Sequence, residues 1–149
     1  MYPNAKVTEQ MAVLGTINPA SLSTGATSTG WVLASGFHRF LALIETGVLG
    51  SSATLDAKLE QATDSSGTGA KDVTSKAITQ IVKASGDNKR ALINLNPQEL
   101  DVSGGFDYFR LTLTVGTAAS IAGAHVFGMA PKNASAAGSN IAAVVEVVA

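Results

Sequence analysis

The stretch SATLDAKLEQATDSSGTGAKD, residues 52–72, can be read two ways, and the choice sets the fold. As a helix it stacks Leu55, Leu59 and Ala62 at i, i+4 and i+7, and it is rich in good helix formers. The glycine-rich segment behind it would then suggest a phosphate-binding loop and an enzyme. As a strand, Ala53, Leu55, Ala57 and Leu59 alternate strictly with Thr54, Asp56, Lys58 and Glu60, giving one apolar and one charged face. Context favours the strand. TGVLGSS before it reads as a tight turn after a strand, and SSGTG closes it. The row Asp56, Lys58, Glu60 then faces water or a neighbouring subunit. A phosphate-binding loop needs Gly, four residues, then Gly-Lys-Ser/Thr opening a helix. Here Gly67 and Gly69 precede Ala70-Lys71-Asp72, and no Ser or Thr follows Lys71, so SSGTGAKD is expected to be a flexible hairpin loop.

Outward from this stretch, short apolar runs alternate with clusters of Gly, Ser, Thr, Asn and Pro. Strands are expected at residues 11–17, ended by Asn18-Pro19, and at 31–34, 39–46, 77–82, 89–95, 106–115, 120–129 and 141–148. RFLALIET, residues 39–46, is apolar almost throughout, as a central strand buried on both faces would be. The clearest alternation sets Phe109, Leu111, Leu113 and Val115 against Tyr108, Arg110, Thr112 and Thr114. SLSTGATSTG and APKNASAAGSN read as loops, and Pro97 suits the first position of a short helical turn in NPQELD. The result is an all-β chain of about eight or nine strands, arranged as a single antiparallel sandwich or barrel.

Bulk composition agrees. A chain of 149 residues is a prior for one domain, and such a domain buries roughly 70% of its unfolded surface. Charged residues are only 14% against 46% apolar, which is low for a soluble domain and leaves surface for neighbours to cover. Net charge is −1 and the basic residues are scattered, so the electrostatic footprint of a nucleic-acid binder is missing. There is no cysteine, hence no disulfide, thiolate zinc site or Cys nucleophile. No signal peptide or membrane-spanning run is evident, and a soluble cytoplasmic product is expected.

Chemistry is sparse. His38 and His125 are isolated, no Gly-x-Ser-x-Gly elbow is present, and no set of three or four closely spaced ligands suggests a metal. The carboxylates Asp56, Glu60, Asp64, Asp72, Asp87, Glu99, Asp101 and Asp107 follow no calcium-loop spacing. No catalytic residue, cofactor or metal ligand is therefore assigned. Trp31 lies in an apolar run and reads as core, with sugar stacking as the alternative. Two segments point to association instead. Residues 1–10 precede the first strand as an N-terminal arm with no periodic apolar face, and Met1, Tyr2, Pro3, Asn4 and Lys6 are candidate partner contacts. Residues 11–149 form the sandwich. The closing strand is apolar to Ala149, so it is either central in the sheet or covered by another chain.

The phrases LGTINPASLSTG, DAKLEQATDSSGTGAKD, KAITQI, DNKRALINL and GFDYFRLTLTVGTAAS together resemble small virion structural proteins encoded among the head genes of tailed phages and prophages. The likeness runs over roughly residues 13–120. It implies a capsid decoration, or cement, protein with a β-sandwich or jelly-roll fold, no enzymatic activity and no cofactor. Its partners would be the major capsid protein and its own copies, with a trimer favoured, and it would bind neither nucleic acid nor membrane. Its place would be the capsid surface of a virion assembled in the bacterial cytoplasm. A head–tail connector or tail component, and a carbohydrate-binding or adhesin-like module, are the alternatives.

Overall fold

In the computed structural model, which describes residues 4–148, the segment around Leu55 is strand β5, Thr54–Ala62. Leu55, Ala57 and Leu59 are buried, while Asp56, Lys58 and Glu60 lie on the outer face. β5 pairs antiparallel with β9, Tyr108–Gly116, in a register that sets Leu55 beside Val115 and Leu59 beside Leu111. Two alternating sequences are thus zipped in phase, which is what a half-buried sheet requires.

The other strands are β1 (Met11–Leu22), β2 (Gly25–Ser28), β3 (Val32–Leu33), β4 (Phe37–Thr46), β6 (Lys71–Ala77), β7 (Ile81–Val82), β8 (Arg90–Leu95) and β10 (Ser120–Pro131). They form two sheets, ordered β1-β10-β4-β8 and β2-β9-β5-β6, with β3 on β9 and β7 on β5. Setting aside the two-residue strands β3 and β7, the first strand pairs with the eighth, the second with the seventh, the third with the sixth and the fourth with the fifth. That nesting is one long antiparallel hairpin rolled over on itself, the jelly-roll form of a β-sandwich. The core lies between the sheets. Phe40, Ile44, Val126 and Leu95 from one layer meet Leu55, Leu59, Phe109 and Leu113 from the other. Each such side chain contributes about 1.5–3 kcal/mol by leaving water.

Several expectations need correction. β1 does not stop at Asn18-Pro19 but runs to Leu22, with a register shift between Ile17 and Ala20. Pro19 is tolerated because β1 is an edge strand, where a missing N–H costs no ladder bond. The shifted strand passes so close to β10 that a Cβ at Gly123 would lie 3.0 Å from the Pro19 Cα and 3.1 Å from the Ile17 carbonyl oxygen. β2 occupies part of the expected loop SLSTGATSTG. β6 begins at Lys71, within the expected hairpin loop, and the strand expected at 77–82 shrinks to β7. β6 buries only Val73, so its edge pairing leaves no periodic apolar signal. Pro97–Glu99 does form the expected short helical turn. Residues 141–148 form no strand at all.

Candidate functional site

The two sheets present unlike outer faces. On β5 and β9 the outward residues are charged or hydroxylic, and Asp56, Lys58, Glu60, Arg110 and Thr112 are each hydrogen-bonded or ion-paired. Arg110 Nε donates to Glu60 Oε2 at 2.7 Å, and the Thr112 hydroxyl donates to the same oxygen at 2.8 Å. Lys58 Nζ lies 2.6 Å from Asp72 and 3.4 Å from Glu60, and Gln80 Nε2 donates to Asp56 at 2.9 Å. Burial pushes the Glu60 carboxyl up, but the hydrogen bonds from Arg110 and Thr112, with the charges of Arg110 and Lys58, outweigh it and hold the group below its ordinary value. The Asp72 contact in turn raises Lys58. The charges of this face are thus partnered within the chain.

The outer face of β1-β10-β4-β8 is of the opposite kind. Cross-strand register places Val13, Phe127, Leu41 and Asn94 in one row, and Thr16, His125, Leu43 and Leu92 in the next. Met11 and Met129 extend the apolar stripe toward Arg39, and Glu45 with Arg90 bounds it at the other end. Leu92 is 60% exposed and Ile121 46% exposed, while Val13, Leu41, Leu43, Phe127 and Met129 are half-buried. An antiparallel sheet ordinarily turns polar residues to water on the side away from the core. An apolar stripe there, interrupted by Thr16, His125 and Asn94, departs from that pattern and is the kind of surface a neighbour can cover. The short helix α1, Val7–Gln10, borders it, and a depression of about 290 Å³ between Val7, Gln10, Met11, Arg39, Met129 and Ala130 lies at the junction.

Two of the expected contact residues, Asn4 and Lys6, precede α1 in the chain. Asn4 and Lys6 are exposed, and the Lys6 N–H donates to Glu9 Oε2 at 2.8 Å, closing the first turn of α1. Met1, Tyr2 and Pro3 lie outside the described residues. Sequence reasoning missed the stripe itself, although its signal was present. RFLALIET is apolar at odd and even positions alike, a pattern that also fits burial on both faces. β4 is indeed central, but Leu41 and Leu43 are left half-open.

Neither a protein-family model nor a curated protein matches the chain. Solved structures that it resembles include the SPBc2 prophage-derived protein YomS, at 10% identity and TM-score 0.43 over 78% of this chain and 92% of that one. Triatoma virus aligns at 10% identity and TM-score 0.45, over 87% and 69%. The CBM22-1 xylan-binding domain of Xyn10C from Paenibacillus barcinonensis aligns at 11% identity and TM-score 0.41, over 83% and 96%.

The remaining candidates are dispersed. His125 sits on the apolar stripe, its ring 6.0 Å from that of Phe127 and its row neighbours Thr16 and Leu43. His38 is exposed beside Arg39, Asn96 and Gln98, on the rim of a separate depression. Among the described residues, no group of three or more His, Asp or Glu could hold a metal ion, and no helix is long and apolar enough to cross a membrane. A depression of about 330 Å³ between Ala34, Pro97, Leu100 and Phe106 brings one carboxylate, Asp107, and one ammonium, Lys132, to its wall. Trp31 is not in the core. Val32 takes the inward position, and alternation turns Trp31 outward, where the Arg110 guanidinium covers its ring at 4.6 Å from the centroid. A Cβ at Gly67 would lie 2.7 Å from its indole nitrogen, so that loop is pressed against the same ring.

Proposed function

We propose that this chain is a structural component of a phage virion, a capsid decoration protein that seats the apolar outer face of β1-β10-β4-β8 on the major coat protein of the assembled head. The observation that carries the reading is the contrast between the two outer faces. One is self-satisfied by ion pairs, and the other keeps Val13, Leu41, Leu43, Leu92, Phe127 and Met129 in a stripe that a neighbour can cover. The choice of the coat protein as that neighbour rests on the resemblance of the sequence to phage head-gene products. In this reading the protein is not an enzyme. Its work is adhesion, and many modest contacts repeated over a shell add up through avidity.

The test uses purified empty heads that lack the protein. The unaltered chain should bind over the head faces, with on the order of hundreds of copies at saturation, whereas a dozen copies at one vertex would instead identify a connector. Phe127→Asp and Leu41→Asp should lower head affinity at least roughly tenfold, because each leaves a charge buried against apolar surface. Lys58→Ala, on the polar face, should bind as the parent does. Head binding that ignores the stripe variants, or no head binding at all, overturns the proposal.

A further inference from the structure

The C-terminal segment departs most sharply from the sequence reading. The Ile141 N–H donates to the Val13 carbonyl at 3.0 Å, and the Val13 N–H donates to Asn140 Oδ1 at 2.8 Å, so the segment starts at the open edge of β1. It then leaves the body. Val145 is 94% exposed and Val148 87% exposed. VVEVV has high strand propensity, yet it joins neither sheet of its own chain.

The opposite edge of the same sheet is β8. The Thr46 N–H donates to the Lys89 carbonyl at 2.9 Å, which sets the alternation of the β4·β8 ladder. Ala91, Ile93 and Leu95 direct their backbone groups at β4, and Arg90, Leu92 and Asn94 direct theirs outward. Among the described residues, the Asn94 carbonyl there meets Lys76 Nζ at 2.8 Å, and the backbone groups of Arg90 and Leu92 stay open.

We propose that residues 142–148 of one copy add as a strand to β8 of a second copy of this chain. Three observations select that occupant. The first is reach. Extended, residues 142–148 span about 23 Å, enough to lie along all six residues of β8. The second is position. β1 and β8 are three strand spacings apart, about 14 Å, so a tail crossing its own sheet would spend most of its residues on the way. A neighbour's edge can use all of them. The third is charge. Glu146 is the one charged residue of 142–148, and Lys89 stands just before β8, next to Arg90, which pairs with Glu45. Donor and acceptor lie on opposite edges, so the contact is head-to-tail and closes into a ring when its rotation permits. The exchange concerns the chain with itself and does not depend on head binding.

The experiment compares the molar masses, by light scattering at about 50 µM, of the full chain, a chain ending at Asn140, and Leu92→Pro. Proline at an outward edge position removes the open N–H without touching the ladder to β4. The full chain should exceed monomer mass, and both variants should be monomers with the parent's circular dichroism. A peptide of residues 140–149 added to the shortened chain should shift amide resonances of residues 89–95. Because that arm uses an unsubstituted β8, it decides the matter even where Leu92→Pro unfolds. A monomeric full chain, a shortened chain of the parent's mass, or peptide shifts confined elsewhere overturns the exchange. Each of these leaves head binding, and so the proposed function, unaffected.

Discussion

The rings of Phe40 and Phe109 meet edge to face at 4.7 Å, one from each sheet, and so join the two layers of the sandwich directly. Phe109→Ala removes that contact and leaves a cavity between sheets that cannot close over it. The expected cost is about 3–5 kcal/mol, read as a fall in Tm on the order of 10 °C by calorimetry. Val145→Ala, in the exposed tail, should stay within about 0.5 kcal/mol when measured on the chain as a monomer.

Acid should weaken the fold through the polar face. Glu60 is held below its ordinary 4.5 in the folded chain, so the unfolded chain takes up its proton first as pH falls. The stabilisation is whole above that ordinary value and is lost as pH drops through the folded one. Asp101, lowered chiefly by its hydrogen bond with Lys71, and Asp87, lowered chiefly by Lys83, act in the same direction. Urea midpoints should therefore decline from about pH 5 downward. Glu60→Gln should cost about 1–2 kcal/mol at pH 7 and flatten that decline. An unchanged slope would remove Glu60 from the account. Lys58, raised by Asp72, works at the other end of the scale: its contribution is present below its ordinary 10.5 and is lost as pH rises through the folded value.

Gly67→Ala should cost on the order of 1–3 kcal/mol, because the residue sits at φ 87° and an added methyl would meet the Trp31 indole nitrogen. Part of that cost is contact and part is backbone. A Trp31→Ala background removes the contact, so the two substitutions should be measurably non-additive in a double-mutant cycle. Simple additivity would place the whole cost in the backbone.

Gly123→Ala should strain the seam between β1 and β10. The new methyl meets backbone at Pro19 and Ile17, which cannot rotate aside as a side chain can. Overpacking of this kind costs about 1–3 kcal/mol. Amide exchange should accelerate at β1 before it does at β5. Uniform acceleration across both sheets would instead mean that the seam has no local weakness.

Legibility in the sequence followed periodicity. β5 and β9 alternate strictly because one face meets the core and the other meets water, and both could be located within two residues. β6 could not be, since an edge strand that buries only Val73 is held by backbone bonds that leave no mark on residue type. Residues 141–148 show the converse. VVEVV has the composition of a strand, but composition records a preference and not the presence of a partner. The apolar stripe was half-legible: Leu41 and Leu43 announced a second apolar face, but only the register with Phe127 and Leu92 shows that those residues line up across strands.

Because β1 pairs with β10, residues 11–22 must wait for residues 120–129 to be made before they find their ladder partner. Folding from one end toward the other is thereby ruled out, and loop closure over more than a hundred residues makes assembly slow, on the scale of milliseconds to seconds. A nascent chain stalled before Ser120 holds β1 and β4 with no strand between them, and would be expected to recruit chaperones or aggregate.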